Sequence, residues 1–590
     1  MKLRWLGRGP WIELGNGSAG WASGYASPPE GGPLEDGEIA RYLADRSGDL
    51  GRAAAELNGC FAAALRVGSN AVLVTDRFET TPLYWLRENE GIAASDDPFL
   101  LVPALRSSPE IDVAASLDML RCGYVLGTRT LISGVETVGP ATVAEHRATG
   151  ESRRRYWTYG YRPREMPDGE ATDRLEAALR NVAQRLLGRL ERRGLRPALT
   201  LSGGLDSRVL AALLRSATDR PVGALTYGSA DHPDVLVAEE VARELDLDFS
   251  VQPIQSDYAR DEFLARSVRE VGFTTRFTCG VGARHLDGSD FDVVVPGHTG
   301  DFVSGGHLPV YAGMVRSAAD LAAFVEFRHF RYQGSEAALR RIAGRDLVRR
   351  SKETVRRSTE ELDWNADTLG TIDRWNVEHR QRRLILMELR AYEALGQWAL
   401  PFYDHELIDA FAVLPHRLRI GQRLYIETSK TRLFTGRAAA AGTIRRVGKP
   451  MRADTRLVRR IELMQRLQPL SGAFLRRGIT RYRELSRALR PRRDQKHGTD
   501  TFKAWYRDDP AFRAFVLERL RRIDLPWLDA DALRVLLESD GQEERIYNRL
   551  LVGALTIQEC YDAVRSDWRD APPTSTGPST SESADARRRR

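Results

Sequence analysis

Two hydropathy periods divide this chain. Up to about residue 160 the apolar positions fall in short runs, Asn70-Ala-Val-Leu-Val74 and Pro82-Leu-Tyr-Trp85 among them, between loops rich in Gly, Pro and Ser. Such runs are read as strands. Helices are expected near 36–45 and 114–122, so the first part of the chain reads as α+β. From about Asp168 the period changes. A helix rich in Leu and Ala leads to Leu199–Leu201, a short buried strand. From Asp206 a helix follows, with Val209, Ala212, Leu213 and Ser216 at i, i+3, i+4 and i+7. Val222–Gly228, Asp248–Pro253 and Phe291–Val295 are further strands, and Asp234–Leu245 is a helix between the first two. Strands and helices alternating in this way predict a parallel sheet with right-handed crossovers. Residues 308–560 are expected to be mostly helical, with clear periodicity at 337–343 and 383–391.

The chemistry concentrates at Leu199-Thr-Leu-Ser-Gly-Gly-Leu-Asp-Ser207. A strand, a loop of small residues and a helix start make an anion cradle. Glycines let backbone N–H groups approach a phosphate, and the helix N-terminus carries partial positive charge. Ser202 and Ser207 add hydroxyls. Asp206 would repel a bare phosphate, so its expected use is to hold a magnesium ion that the phosphates share. An ordinary strand-to-helix turn also uses Gly and Ser, but the whole Ser-Gly-Gly-Leu-Asp-Ser string is far more specific than a lone Gly-x-Gly. A second glycine-rich loop follows Phe291–Val295 and runs Pro296-Gly-His-Thr-Gly-Asp-Phe-Val-Ser-Gly-Gly-His307.

Composition narrows the class only a little. At 590 residues the chain has room for two or three domains. A net charge of +7, from 88 basic and 81 acidic residues, gives no reason to invoke nucleic acid. The 4 cysteines lie far apart, which argues against a disulfide framework and against a zinc site. No run of about 18 apolar residues is present, so no membrane span is expected, and a cytoplasmic location is.

The Ser-Gly-Gly-Leu-Asp-Ser string resembles the pyrophosphate loop of the N-type ATP pyrophosphatases, which split ATP into AMP and pyrophosphate. In the first part, Leu57-Asn-Gly-Cys-Phe-Ala62, Thr75-Asp-Arg-Phe78 and Pro82-Leu-Tyr-Trp85 are similar to the glutaminase domain of asparagine synthetases, and Tyr156-Trp157 to that domain's exit. The second loop is similar to the family's Gly-Glu-Gly-x-Asp-Glu-x-x-x-Gly-Gly-Tyr, matched by Gly297, Asp301, Gly305 and Gly306. Pro401-Phe-Tyr-Asp404, Thr428–Phe434 and Arg445–Met451 look like later family segments.

The resemblance covers about residues 45–430. It implies a degenerate class II glutamine amidotransferase-like domain at 1–157 and an α/β ATP pyrophosphatase-type (PP-loop) synthetase domain with a parallel sheet and helical additions at 168–565. A disordered tail is expected at 571–590. ATP would lie on Leu201, Ser202, Gly203, Gly204, Asp206, Ser207, Tyr227 and Gly297, with Mg²⁺ on Asp206 and Asp301. Tyr227 reads equally as a core aromatic. Lys449 and His298 are the catalytic candidates. Lys449 would meet the charge that develops during acyl transfer, or be a solvated loop lysine. His298 stands where the synthetases have Glu, and could serve as a base toward an amine, cap the loop or bind phosphate.

Other departures bear on substrate. Phe302 replaces the family's Glu after the Asp, and Gln397 and Ala399 stand where the family has Glu and Arg. The family's nucleophilic N-terminal Cys is not at position 2, where Lys2 stands, and Cys60 is expected to be a buried structural thiol. No glutaminase activity is therefore expected, unless the true start lies upstream. The implied reaction is ATP-dependent amide formation. The partners are a small-molecule or peptide carboxylate and ammonia or an amine, with no membrane or nucleic acid. A homo-oligomer, the role of basic segment 476–496, a tRNA-modifying relative and a nucleotide-binding regulatory module stay open.

Overall fold

The computed structural model describes residues 2–15, 17–228, 230, 232–252, 268–269, 291–309, 312, 315–330, 336–362, 367–436, 505–506, 508–538 and 544–570. Lys449, the basic segment 476–496 and the tail 571–590 lie outside these residues.

The first half is built on two stacked sheets. One is seven-stranded; its main path runs Gly150–Arg155, Thr142–Arg147, Asn70–Thr75, Asn58–Val67, Ser18–Ser27 and Ile12–Gly15, with Leu34–Glu35 added beside Ser18–Ser27. The other has four strands, in the order Lys2–Trp5, Gly91–Ser95, Tyr84–Arg87 and Glu136–Thr137. Asn58–Val67 shows why its sequence is almost continuously apolar. Alternate side chains point to opposite faces. Ala62 and Ala64 meet Leu73, Leu83, Trp85 and Ile92 between the sheets, while Phe61, Ala63 and Leu65 pack with Ile39 and Leu43 of the helix Gly37–Asp45.

The second half carries a five-stranded parallel sheet ordered Asp248–Gln252, Gly223–Tyr227, Pro197–Thr200, Val293–Pro296 and Gln397–Trp398. Chain order runs outward in both directions from Pro197–Thr200. The switch point therefore lies between that strand and Val293–Pro296, where ligands bind at the carboxyl ends of such sheets. Both glycine-rich loops leave the sheet at this point. The fourth strand is shifted from the expected Phe291–Val295, because Phe291 and Asp292 precede the parallel register that pairs Val293 with Pro197.

The helical reading of the later chain needs one correction. The periodicity at 383–391 predicts an α-helix, but Val377–Ile385 is π-helical, Leu386–Leu389 α-helical and Arg390–Leu395 3₁₀. The wider turn brings His379, Gln381, Arg382 and Arg383 to buried positions. Arg382 pairs there with Glu79, and Arg383 donates to the Arg129 carbonyl at 2.6 Å. Asp404 also joins the halves. It accepts Arg185 at 2.8 and 2.7 Å and Asn58 Nδ2 at 3.1 Å, and it caps the helix His405–Ala412. Among the described residues no helix is long and apolar enough to cross a membrane.

Candidate active site

Pro197–Thr200 ends at Leu201, whose N–H bonds the Leu225 carbonyl at 2.8 Å and fixes the start of the loop. The helix Leu205–Ala217 begins immediately after Gly204. The two serines shape this loop from within. Ser207 Oγ accepts the Ser202 N–H at 3.2 Å and lies 3.1 Å from the Ser202 carbonyl, while Ser202 Oγ accepts the Gly204 N–H at 3.2 Å. Both hydroxyls are thus engaged within the loop. Gly203 is tightly placed: a Cβ there would meet Asp234 Oδ1 at 2.8 Å.

The second loop packs on the first. A Cβ at Gly297 would lie 2.8 Å from Ser207 N, and one at Gly300 would lie 2.4 Å from Asp206 Cγ. These glycines allow an approach that any side chain would block. Gly300 opens the short helix Gly300–Val303, which carries the exposed Asp301. Asp206 is hydrogen-bonded to the buried Tyr425 phenol, and the Asp301 charge also acts on it. Burial pushes the Tyr425 hydroxyl well above its ordinary ionisation range, and the neighbouring Asp206 and Asp301 charges add to this. Arg208, fully buried, donates Nε to the Gly204 carbonyl at 3.2 Å and also acts on Tyr425. Sequence reasoning missed Tyr425 and Arg208. An aromatic at position 425 carries no signal, and an Arg two residues after Asp206 reads as a solvated helix residue.

The remaining candidates separate. His298 is half-buried beside Thr299 in the second loop. Tyr227 is half-buried at the end of its strand, and its hydroxyl accepts a hydrogen bond from Tyr392 at 3.2 Å. Phe302 is a core residue, its ring 4.6 Å from His307 and 6.2 Å from Tyr159, so this departure from the family pattern is buried away from the site. Gln397 accepts Arg189 Nη2 at 2.9 Å, and Ala399 is buried. Lys430 is exposed, and Arg432 pairs with Asp173 at 3.3 Å.

The donor set fits a magnesium nucleotide. Two carboxylates and a glycine cradle meet at a helix start. Among the described residues no three His, Cys, Asp or Glu side chains converge as a metal site. A divalent ion held by one or two protein carboxylates with phosphate oxygens is the usual arrangement for Mg²⁺.

The thiols of the described residues are not poised for catalysis. Burial raises the ionisation of Cys60, Cys122 and Cys560 above the ordinary thiol range. Cys60 Sγ sits 3.5 Å from the Tyr25 hydroxyl. Because the thiolate is the reactive form, iodoacetamide at pH 8 is expected to leave these three thiols unlabelled in the native protein, as read by peptide mass mapping. Glutamine is expected to yield no glutamate; release at the rate of amide synthesis would contradict this.

Fold and site together define a two-part protein, a half of two stacked, mostly antiparallel sheets followed by a parallel-sheet half with paired glycine loops at its switch point. Residues 36–157 match the model of a glutamine amidotransferase domain, and residues 184–442 match that of asparagine synthase. These two domain matches support membership of the asparagine synthetase family. A carboxyethyl-arginine beta-lactam-synthase of Streptomyces clavuligerus is 32% identical over 189 residues. That match takes in 31% of this chain and 33% of the relative, so it spans about a third of the relative's length. Among solved structures, glutamine phosphoribosylpyrophosphate amidotransferase from B. subtilis, complexed with ADP and GMP, is 10% identical. It matches 48% of this chain and 77% of its own, with a TM-score of 0.20. A structure described as the allosteric regulatory enzyme of purine biosynthesis is 10% identical over 42% of this chain and 72% of its own, with a TM-score of 0.19. Likeness at these scores carries no argument about this site.

Proposed function

We propose that the protein is an ATP-dependent, AMP-forming amide synthetase with a two-domain organisation of 1–157 and 168–565. The observation that supports this reading is the packing of the Asp206 side chain against Gly300, one residue before Asp301, where two glycine loops abut at the sheet's switch point. The backbone of Leu201–Gly204, the helix start at Asp206-Ser207 and Gly297 hold the phosphates, and the strand end at Tyr227 flanks the adenine. Asp206 and Asp301 hold Mg²⁺. When bound, Mg²⁺ supplies charge neutralisation on the triphosphate. A substrate carboxylate oxygen attacks the α-phosphorus, and the bond to the departing pyrophosphate breaks. An amine nitrogen then attacks the acyl carbon, the acyl–oxygen bond breaks and AMP leaves. His298 takes the amine proton, and Lys449, which lies outside the described residues, is assigned to the charge on the acyl oxygen from the family resemblance.

The nitrogen source we infer is a free amine or ammonia: burial pushes the pKa of the Cys60, Cys122 and Cys560 thiols up, and Cys279 lies outside the described residues. The Gln397 and Ala399 departures favour a carboxylate other than aspartate, including one that closes on an amine of the same molecule. The test is pyrophosphate release from Mg-ATP across a panel of amino acids, β-amino acid derivatives and linear peptides. Acid-dependent release with matching AMP supports the synthetase. Nucleotide binding without release for every acid would leave only a regulatory module.

A further inference from the structure

Between His298 and Asp301 the chain takes a conformation that its side chain opposes. Thr299 has φ +79° and ψ −14°, the left-handed region. A β-branched residue there is a true outlier and persists only where its surroundings hold it. The hold is visible. Thr299 Oγ1 lies 2.6 Å from the Tyr403 hydroxyl and 3.1 Å from Gln381 Oε1, and Tyr403 is 3.4 Å from the same Gln381 oxygen. Two hydroxyls thus share one carbonyl in a closed triangle, and all three residues are buried.

Both supports of Thr299 are anchored in the other half of the molecule. Gln381 lies in the π-helical segment Val377–Ile385, whose next residue, Arg382, forms the buried ion pair with Glu79. Tyr403 meets the Phe78 ring edge-on at 5.0 Å. Phe78 and Glu79 belong to one turn, closed on the buried Asp76 carboxylate by the Phe78 N–H at 2.8 Å and the Thr80 N–H at 3.1 Å. Glu79 also accepts the Gly139 N–H at 2.8 Å.

We propose that Thr299 is a positioning residue for the Asp206–Asp301 pair, and that the amidotransferase-like half, through its Asp76–Thr80 turn, is the fixed support that holds Thr299 in place. This gives that half a role that needs no nucleophile. The inference rests on the magnesium-nucleotide reading of the site.

The test reads the magnesium concentration that half-saturates binding of α,β-methylene-ATP, alongside the melting temperature without ligand. Thr299→Gly removes the strain and the hydroxyl. It is expected to melt no lower than the native protein, yet to need about tenfold more magnesium. Thr299→Ser keeps the hydroxyl and should stay within twofold of native. Tyr403→Phe and Phe78→Leu should shift the requirement the same way as Thr299→Gly. A purely structural contact would move melting and leave the magnesium requirement alone, and that result in Thr299→Gly and Tyr403→Phe overturns the inference. Failure of the native protein to bind the analogue at 10 mM magnesium would remove the nucleotide reading itself, and this inference with it.

Discussion

Replacing Asp206 by Asn is expected to lower pyrophosphate release by three orders of magnitude or more, and Asp301→Asn to do the same. The loss corresponds to roughly 4 kcal/mol of transition-state stabilisation, the scale of a broken metal clamp. Asn keeps the shape of Asp, and shape matters because Asp206 Cγ has no room to spare against Gly300. What goes is charge, and charge is what a divalent ion between phosphates requires. Tyr425 stays neutral at pH 7 and hydrogen-bonds Asp206, and Asn keeps an oxygen to accept that bond. Without ligand, Asp206→Asn is therefore expected to melt within a few degrees of the native protein. Steady-state pyrophosphate release and a thermal melt on one preparation check both halves. Activity within tenfold of native at millimolar magnesium would take Asp206 out of the metal site.

The second large effect lies beneath the same loop. Asp373 and Arg419 form a fully buried ion pair, with His307 Nε2 at 2.6 Å from Asp373 Oδ1 and Arg419 Nε donating to the Val303 carbonyl at 3.1 Å. Asp373→Asn leaves the Arg419 charge without its partner, which costs about 3–5 kcal/mol. The expected result is a melting temperature lower by at least ~5 °C at pH 7. The pH dependence has a definite sign. Burial pushes the Asp373 carboxyl up, but Arg419 and His307 outweigh it and hold it below the ordinary carboxylate range. Its contribution is thus present above the unfolded value of about 3.9 and is lost as pH falls through the lower folded value. The gap between native and Asp373→Asn melts should be full at pH 7 and narrow below about pH 4. A gap that widens on acidification would contradict this account.

The sequence alone determined a good deal of this protein. Leu199–Ser207 was legible as strand, glycine loop and helix because each piece is set by neighbours within a few residues. Hydrophobic period decided the alternation of strands and helices after Asp168. The order of family motifs placed Asp301 beside the phosphate loop. Tertiary structure decided the rest. It turned the periodic stretch at 383–391 into π, α and 3₁₀ segments, because Arg382 and Arg383 reach partners at Glu79 and Arg129 in the other half. It engaged the Ser202 and Ser207 hydroxyls within the loop rather than leaving them open. It brought Tyr425 to Asp206 and Tyr403 to Thr299, pairs far apart in the chain. Backbone preference and side-chain period act over one or two turns. Buried hydrogen bonds and charges are satisfied by whatever the fold places next to them, and only the assembled sheet and helices say what that is.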